Sequence, residues 1–422
     1  MDVKMIQKPR GTMDILPKDS KKWEFIENAA RKVCKKRGFG EIRFPTFEET
    51  CLFSRGVGDT TDVVQKEMYT FIDRDGTSYS LRPEGTASVA RSVIENGLAG
   101  DTMPLKLFYI INCFRHERPQ AGRYREFYQF GAELFGATTP TADTELISLA
   151  DDFLKTLGIT NTSLHINSIG CPNCRPQYKA ALVEYFSANM EELCDTCKSR
   201  LMSNPLRILD CKSPICSKIA ADAPKTIDSL CTECADHFEG LKTRLDAIGI
   251  EYKVDSHIVR GLDYYSRTVF EFISEGIGAQ STVCGGGRYD GLVKQIGGPE
   301  LAGIGFAAGI NRLILTMENG SAYNEEENSV PLYIAALGEN ASVKATEICA
   351  RLRNEGIASE TDIVGRSLKA QMKYANKINA QNTLIIGDGE IESGKAQLRN
   401  MQNGEQSEIS LENINELISI LK

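Results

Sequence analysis

One segment limits the folds open to this chain more than any other, and it runs through residues 105–135 as LKLFYIINCFRHERPQAGRYREFYQFGAELF. An apolar run up to Phe114 is followed by a charged stretch with proline and glycine, at residues 115–122. The chain then returns with polar and apolar residues in alternation, a pattern typical of a strand with one buried face. The segment therefore predicts a long antiparallel hairpin.

The two faces of the returning strand carry different chemistry. One face holds Arg123, Arg125, Phe127, Gln129, Gly131 and Glu133, and the other holds Tyr124, Tyr128, Phe130, Ala132 and Leu134. A solvated, half-buried strand is the ordinary interpretation of such alternation. The arginines, ring, amide and carboxylate of the first face instead favour nucleotide binding, because guanidinium groups bind phosphate and an aromatic ring stacks on a base.

Composition places the chain among ordinary globular proteins. Its 422 residues, of which 41% are hydrophobic and 25% charged, are enough for two or three domains. No run approaches the roughly 20 apolar residues needed to span a bilayer, and the N-terminal residues lack the apolar region of a signal peptide. We therefore expect no membrane partner and a cytoplasmic location. The net charge of −8 means that a polyanion would have to bind local basic patches.

Eight of the 13 cysteines lie in four close pairs. The pairs are Cys171 and Cys174, Cys194 and Cys197, Cys211 and Cys216, and Cys231 and Cys234. Thiolates at such spacing can share a tetrahedral zinc ion, and a reducing compartment disfavours disulfides. Eight thiolates would fill two structural zinc sites, while reduced thiols without metal and redox pairs remain alternatives. Residues 171–238 show helical patterns without alternation, and we interpret them as a small inserted domain.

A strand-to-helix junction supplies further candidate ligands. Pro83 ends a predicted strand and residues 86–94 read as a helix, so Glu84, Gly85 and Thr86 lie where free backbone amides can meet a ligand. The alternative interpretation of Glu84 is an acidic residue that favours the start of a helix. Residues 54–71, just before this region, are expected to form a loop that leads into a hairpin.

Glycine-rich segments mark three more places where backbone can approach a ligand. Arg260 precedes Gly261, and Tyr264 and Tyr265 are predicted to begin an alternating strand. CGGGRYDGLV, from residue 284, is expected to be a flexible turn, since consecutive glycines most often form a hinge. The segment LAGIGFAAGINRLIL predicts an apolar glycine strand that leads into a helix carrying Arg312.

The C-terminal part reads as a separate small domain. Residues 321–329 form a polar, acidic linker, and residues 330–422 follow a β-α-β-α-β-α pattern that predicts an α/β domain with a mostly parallel sheet. Basic residues recur at helical spacing at Arg366, Lys369, Lys373 and Lys377. This basic stripe could bind phosphates or could be a solvated helix face.

Five separated motifs, in the order expected, resemble one enzyme family. FRHER at residues 114–118 with GRYREF at 122–127, and GIGFAAGINR at 303–312, resemble the second and third motifs of class II aminoacyl-tRNA synthetases. RGLDYYSRTVFEF and CGGGRYDGL are similar to stretches of the histidyl-tRNA synthetase family, and RGTMDILP and LRPEGTA agree with it. The resemblance covers nearly the full length.

The resemblance implies an α+β fold and a two-step reaction. It implies a class II synthetase catalytic domain built on an antiparallel sheet at residues 1–170 and 239–325, a Cys-rich insertion domain at 171–238, and a C-terminal anticodon-binding domain at 330–422. Such an enzyme activates L-histidine with ATP and Mg²⁺, releases pyrophosphate, and transfers histidine to the 3′ end of tRNA(His). Pro45 resembles the proline of the first class motif, which implies a homodimer.

The resemblance also assigns roles to the candidate residues. Arg115 would hold the α-phosphate and the histidine carboxylate, Arg123 the outer phosphates, and Phe127 with Arg312 the adenine. Glu84, Gly85, Thr86 and Gln129 would hold the ammonium and carboxylate of histidine, and Glu133, Tyr264 and Tyr265 its imidazole. Arg260 would lie near the α-phosphate and act in catalysis with Arg115 and Arg312. The insertion would touch the acceptor arm of the tRNA.

Two alternatives share this fold. One is the synthetase-like regulatory subunit of the enzyme that begins histidine biosynthesis, which binds but does not catalyse, and which typically lacks the C-terminal domain and the motif arginines. The other is a class II synthetase for another amino acid, such as proline or threonine. The four motif arginines, the C-terminal domain and the RGLDYY stretch disfavour both.

Overall fold

The computed structural model describes residues 5–59, 61–209, 211, 213–258, 260–274, 281–320 and 329–422. The chain forms two compact units, Met1–Tyr323 and Asn324–Lys422. Within the described residues, no helix combines the length and the apolar composition needed to cross a membrane. Most of the linker predicted at residues 321–329 lies outside the described residues, which resume at Ser329.

The first unit contains one large sheet and one small sheet. Its strands are β1 (Gly40–Glu41), β2 (Phe47–Glu49), β3 (Thr70–Ile72), β4 (Ser78–Leu81), β5 (Leu105–Phe114), β6 (Glu126–Phe135), β7 (Thr162–Ser168), β8 (Tyr252–Val254), β9 (Ser266–Ser274), β10 (Thr282–Arg288) and β11 (Gly303–Gly309). The large sheet has the order β1-β5-β6-β11-β10-β9-β7-β8, with parallel pairing at its two outer pairs and antiparallel pairing between. Strands β2, β4 and β3 form a small antiparallel sheet.

The helices of the first unit either cover a face of the large sheet or form the separate core of the insertion. They are α1 (Pro17–Lys36), α2 (Thr50–Val57), α3 (Thr86–Glu95), α4 (Pro140–Thr156), α5 (Arg175–Ala188), α6 (Asp195–Ser203), α7 (Pro214–Ala221), α8 (Thr232–Ala247), α9 (Leu292–Gln295) and α10 (Ile310–Gly320). One core joins α1, α4, α8 and α10 to the sheet, and a second joins α2 and α3 to the opposite face. Both cores follow from apolar residues at helical spacing.

The long hairpin predicted at residues 105–135 is confirmed. Strands β5 and β6 pair without a break from Leu105 opposite Phe135 to Phe114 opposite Glu126. Phe130, Ala132 and Leu134 are buried in the core that contains α1 and α4, so the alternation does separate a core face from a second face. Arg123 and Arg125 lie before β6 rather than on it, because the backbone at Gln120 and Arg123 closes a turn there.

The flexible turn expected at CGGGRYDGLV is wrong. Residues Thr282–Arg288 form β10, which lies between β9 and β11 in the middle of the sheet. A methyl group at Gly286 would lie 2.7 Å from Cα of Phe306, and one at Gly287 would lie 2.5 Å from the carbonyl oxygen of Thr268. The glycines therefore allow neighbouring strands to pack closely, and they do not serve as a hinge.

Two other local predictions need correction. Residues 54–71, expected to be a loop, contain the end of α2 and a π-helical turn at Val63–Glu67. The helical pieces of this segment are short and glycines are scattered along it, so the sequence pattern did not indicate helices there. Tyr264 and Tyr265 do not begin a strand, since β9 begins at Ser266.

The second unit contains a mixed five-stranded sheet. Its elements are β12 (Val330–Ala336), α11 (Glu339–Asn354), β13 (Ser359–Thr361), α12 (Leu368–Lys377), β14 (Ala380–Ile386), α13 (Asp388–Ser393), β15 (Lys395–Asn400), β16 (Gln406–Ser410) and α14 (Ile414–Leu421). The order is β13-β12-β14-β15-β16, with the first three strands parallel and the last two antiparallel. A mostly parallel sheet was expected; that was wrong because β15 and β16 are short and polar and carry little apolar signal.

Candidate active site

A buried carboxylate, Glu133, lies at the centre of the face of the large sheet opposite α1. Its side chain is fully buried and accepts hydrogen bonds from the hydroxyls of Thr86 at 2.8 Å, Tyr109 at 3.1 Å and Tyr289 at 2.6 Å. Burial raises the pKa of Glu133 to about 8, although these three hydroxyls oppose the shift. The carboxylate is thus held rigidly and can change its charge near neutral pH.

A second buried carboxylate, Glu84, lies beside the first. It accepts hydrogen bonds from the backbone N–H groups of Thr86 at 2.7 Å and Ala87 at 2.8 Å, where α3 begins. The phenol of Tyr264 lies 3.5 Å from the same carboxylate. Burial raises the pKa of Glu84, while the two amides act in the opposite direction. Glu84 therefore combines the helix-start role considered from sequence with a place in the pocket.

Glycines make room for this cluster. A methyl group at Gly305 would lie 2.5 Å from Cδ of Glu133 and 2.7 Å from the carbonyl oxygen of Ala132. Methyl groups at Gly85 and Gly131 would each lie 2.6 Å from Cε2 of Tyr109. Gly85 thus contributes space for the Tyr109 ring, and the glycine strand β11 lets Glu133 lie flat against the sheet.

Two arginines of the hairpin turn, Arg115 and Arg123, line the pocket on the same sheet face. Arg115 donates from Nε to the carbonyl of Pro83 at 2.9 Å, and its guanidinium lies 5.3 Å from the centroid of the Phe127 ring. Arg123 forms an ion pair with the buried Glu117, which also lies 3.9 Å from Arg115. Phe127 and two guanidinium groups therefore share one wall of the pocket.

Arg312, at the start of α10, lies next to this wall of the pocket. It donates to the carbonyl of Thr282 at 2.8 Å. Burial lowers its pKa, and the positive charges of Arg123, Arg115 and Arg260 lower it further. Three guanidinium groups, two from the hairpin turn and one from the loop before β9, therefore act electrostatically on Arg312, and a polyanionic ligand would relieve this repulsion.

Arg260 lies in the loop before β9 and has an unusual backbone conformation. Its φ is 56°, in a region that non-glycine residues seldom occupy. Its guanidinium pairs with Glu271, which also accepts a hydrogen bond from Thr282 at 2.7 Å. Burial disfavours the charged form, but Glu271 more than compensates and raises the pKa of Arg260. The arginine is held cationic by its partially buried carboxylate partner.

The remaining candidates lie at the same pocket. The rings of Tyr264 and Tyr265 are in contact at an interplanar angle of 52°, with centroids 4.7 Å apart, and the ring of Tyr265 lies 5.8 Å from the Arg260 guanidinium. Gln129 accepts a weak hydrogen bond from the Cys113 thiol at 3.4 Å. The structure therefore brings the pocket residues predicted from sequence together, from the hairpin, α3, the 260–265 loop and α10.

The eight paired cysteines form two separate four-thiol clusters within the described residues. The inner cluster comprises Cys171, Cys174, Cys231 and Cys234, and the outer cluster comprises Cys194, Cys197, Cys211 and Cys216. In each cluster all four sulfur atoms lie within 4.8 Å of one another. Every cysteine is a free thiol, so the clusters are not disulfides.

The basic stripe of the second unit is shorter than the sequence suggested. Lys369, Lys373 and Lys377 are exposed on α12. Arg366 precedes the helix, where it pairs with Asp362 at 2.7 Å and lies 4.4 Å from the centroid of the Tyr374 ring. Three lysines therefore remain as candidates for binding phosphates.

Comparison with known proteins agrees with this geometry. A family model described as histidyl-tRNA synthetase matches residues 11–313, which contain every pocket residue described above. The chain belongs to the histidyl-tRNA synthetase family. A second family model, described as an anticodon binding domain, matches residues 332–420 of this synthetase. The α+β fold with a C-terminal anticodon-binding domain is thus confirmed.

Full-length relatives strengthen the assignment. The histidine–tRNA ligase of Acetivibrio thermocellus is 54% identical to this synthetase over 418 residues, which cover 99% of this chain and 100% of that protein. That of Caldicellulosiruptor bescii is 53% identical over 413 residues, covering 98% of each. The crystal structure of apo histidyl-tRNA synthetase from Staphylococcus aureus matches with a TM-score of 0.84 and 39% identity, over 99% of this chain and 100% of that one.

These comparisons bear on the alternatives considered from sequence. Family membership makes the chain an aminoacyl-tRNA synthetase and disfavours synthetases for proline or threonine. A Bacillus halodurans structure described as an ATP phosphoribosyltransferase regulatory subunit/histidyl-tRNA synthetase has a TM-score of 0.63 at 24% identity, over 91% of this chain and 98% of that one. That likeness shows a common fold alone.

Sequence reasoning missed four polar residues of the synthetase pocket, which are Tyr109, Glu117, Glu271 and Tyr289. Tyr109 lies within the apolar run that ends at Phe114, and sequence does not show where a phenol points. Tyr289 follows the glycine run, and recognition of that run as a strand would have placed it on the sheet. Glu117 and Glu271 are visible only as partners of Arg123 and Arg260.

Proposed function

We propose that this synthetase is a histidine–tRNA ligase that activates L-histidine with ATP and then transfers it to the 3′ end of tRNA(His). The observation that carries the proposal is the placement of a buried acid, Glu133, on the same sheet face as Arg312 and the three arginines whose positive charges act on it. The acid and its hydroxyl partners suit a nitrogen heterocycle. The guanidinium groups suit a triphosphate.

ATP would bind along the arginine wall as its magnesium complex, the form in which this family uses it. Phe127 and Arg312 would stack on the two sides of adenine, and Arg123 would leave Glu117 to bind the outer phosphates. Arg115, close to Phe127, would reach the α-phosphate and the histidine carboxylate. Each ion pair with Glu117 or Glu271 would thereby give way to a stronger pairing with phosphate.

Histidine would bind at the other end of the pocket. Glu133, Tyr264 and Tyr265 would contact the imidazole, while Glu84, Thr86 and Gln129 would hold the ammonium and carboxylate groups, with Gly85 giving them space. An amino acid without ring nitrogens would leave buried groups unpaired. Unpaired buried groups can discriminate against such an amino acid, relative to histidine, by about 10⁴ or more, so no editing step is needed.

The activation step requires alignment and charge neutralisation. A carboxylate oxygen of histidine attacks the α-phosphorus, and the bond from that phosphorus to the oxygen bridging to the β-phosphate breaks. Pyrophosphate leaves with the electron pair, and no proton has to be removed because the attacking carboxylate is already ionised. Arg115, Arg260 and Arg312 would stabilise the charge that develops on the phosphoryl oxygens.

The domain limits follow from this assignment. The catalytic domain would comprise residues 1–170 and 239–325, and the anticodon-binding domain residues 330–422. The insertion at 171–238, which would contact the acceptor arm, ends within α8. The exposed Lys369, Lys373 and Lys377 would bind backbone phosphates near the anticodon stem.

The two cysteine clusters would each hold one structural zinc ion. Four sulfur atoms placed tetrahedrally at about 2.3 Å from zinc lie about 3.8 Å apart. The Cys171 and Cys174 sulfurs are 3.7 Å apart, and the Cys194 and Cys211 sulfurs are 3.9 Å apart. Backbone N–H groups of Cys231 and Cys194 donate to the sulfurs of Cys174 and Cys216, as expected for thiolates.

A homodimer would form through the small sheet that follows Pro45. Phe47, Phe71 and Ile72 on this sheet are 49%, 44% and 66% exposed, and the Phe47 ring lies 6.0 Å from that of Phe71. Such an exposed aromatic patch is typical of an interface. Sedimentation should show a dimer that the double change Phe47→Asp and Phe71→Asp converts to monomers, and a monomeric wild-type protein would contradict this part of the proposal.

The test of the main proposal is exchange of labelled pyrophosphate into ATP in the presence of single amino acids. Histidine should support exchange, and proline and threonine should not. Aminoacylation of tRNA(His) should then consume the adenylate. The absence of histidine-dependent exchange in folded protein would overturn the proposal and favour the non-catalytic regulatory alternative.

A further inference from the structure

The two cysteine clusters lie directly behind one wall of the active site, the segment at residues 260–267. Both clusters belong to the insertion, which reads from sequence as a peripheral addition. Yet side chains next to the cysteines reach this wall at several points.

The inner cluster supports the part of the wall that carries the tyrosines. Arg175 follows Cys174 directly, and its guanidinium donates to the backbone carbonyl of Tyr265. The backbone N–H of Arg267 donates to the carbonyl of Gly170 at 2.9 Å, and Glu233, between the two later cysteines of the cluster, pairs with the Arg267 side chain. A metal ion joining these cysteines would therefore fix the backbone from Tyr265 to Arg267, on the C-terminal side of the Tyr264–Tyr265 pair.

Local packing leaves this support little freedom. A methyl group at Gly170 would lie 2.8 Å from Cβ of Cys174, so the chain enters the inner cluster in close contact with it. Arg267 has a φ of 50°, a conformation that costs energy and persists only when neighbours enforce it. Loss of the constraint at the inner cluster would let this backbone relax and shift Tyr265.

The outer cluster supports the other end of the wall. Its members Cys197 and Cys211 lie on either side of a short segment that carries Asn204 and Arg207. The Arg207 guanidinium donates to the carbonyl of Arg260 at 3.1 Å, and the Asn204 amide donates to the Asp263 carboxylate at 3.1 Å. A metal ion bound by both cysteines would close this segment into a loop and hold it against Arg260.

We propose that the two clusters bind zinc in order to brace two different parts of the active-site wall, the inner one at Tyr265 and the outer one at Arg260. This inference rests on the proposed function, because it assigns histidine recognition to the first part and phosphate contact to the second. Arg175 and Arg207 are positioning residues in this arrangement. They act on substrate only through the backbone they hold.

The test combines zinc content with steady-state kinetics of histidine-dependent pyrophosphate exchange, on the purified full-length chain. The wild-type protein should contain two zinc ions per chain. Cys231→Ser should lose one and raise KM for histidine about tenfold with little change in kcat, because it frees the tyrosines. Cys216→Ser should lose one and lower kcat about tenfold with little change in KM for histidine, because it frees Arg260. Cys349→Ser, in the second unit, is the control and should retain both ions and both constants.

Variants that keep all thiolates decide the outcome if a serine variant is insoluble. Arg175→Ala should reproduce the histidine defect and Arg207→Ala the kcat defect, each with two zinc ions retained, and Arg175→Lys should restore part of the histidine affinity. Zinc-free protein with full exchange activity would overturn the inference while leaving the proposed function intact, and so would equal effects of all these variants on both constants. Zinc-loaded protein without histidine-dependent exchange would instead overturn the proposed function.

Discussion

Gly305→Ala should disable histidine recognition. The added methyl group would overlap Oε2 of Glu133 and lie 2.5 Å from its Cδ, whereas ordinary contact begins at 3.4 Å, so the carboxyl group must retreat by at least about 0.9 Å. The third near atom is the carbonyl oxygen of Ala132, at 2.7 Å, in a strand that is paired on both sides. The strain therefore falls on Glu133 first and on the backbone of β6 and β11 next to it.

The cost follows from the contacts that Glu133 loses. Its three hydroxyl donors lie 2.6 to 3.1 Å away, and a shift of about 0.9 Å breaks this geometry. A displacement of about 1 Å in a positioned site costs about 10² in rate. We expect kcat/KM for histidine to fall about 10²-fold or more, equivalent to about 3 kcal/mol of transition-state stabilisation.

The assay is pyrophosphate exchange with histidine and ATP each varied in turn. The KM for histidine should rise and that for ATP should change little, because the arginine wall does not contact position 305. Gly309→Ala is the matched control on the same strand, since its methyl group would lie 3.9 Å from Cδ of Arg312 and should leave thermal stability and KM for histidine unchanged. A folded Gly305→Ala variant with wild-type histidine kinetics would refute the placement of Glu133 in the histidine pocket.

Three further predictions concern charge. Arg260→Ala should lower the rate of histidine activation about 10²-fold with a modest loss of histidine affinity in single-turnover assays, and equal loss of both would mark Arg260 as a binding residue instead. Lys369→Gln with Lys373→Gln should reduce the salt dependence of tRNA binding by about one to two ions, measured as the slope of log affinity against log salt, and an unchanged slope counts against a phosphate contact. In the folded chain Glu133 keeps its proton up to about pH 8, whereas in the unfolded chain it releases the proton near its ordinary pKa of 4.5. Its contribution to the free energy of unfolding therefore falls as pH rises between these two values. Glu133→Gln should therefore gain stability relative to wild type as pH rises from about 4.5 to about 8 in urea unfolding, and a pH-independent difference would show that the group is not protonated in the folded state.

Some of this site could be predicted from sequence because a buried face leaves a period-two pattern. The alternation in β6 placed Phe127, Gln129 and Glu133 on one face and the core residues on the other, and the structure has that arrangement. Arg123, which lies before the strand, still reaches the same wall because the turn at Gln120 returns it there.

Other parts could not be predicted because their structure is set by neighbours. The glycine run of β10 has no alternation, and its identity as a strand comes from close packing against Phe306 and Thr268. The assignment of cysteines to two clusters depends on the path of the insertion, which brings Cys171 next to Cys231 across a sequence separation of 60. No local pattern contains that information.

The central claim is that Arg115, Arg123, Arg260 and Arg312 meet one triphosphate next to a histidine pocket built on Glu133. The most direct test is a crystal structure of the chain with ATP and histidinol, which lacks the attacking carboxylate and so cannot react. We predict phosphate oxygens within about 3.2 Å of these guanidinium groups, and the imidazole ring against Glu133. Phosphates bound elsewhere, or an imidazole that does not reach Glu133, would contradict the account.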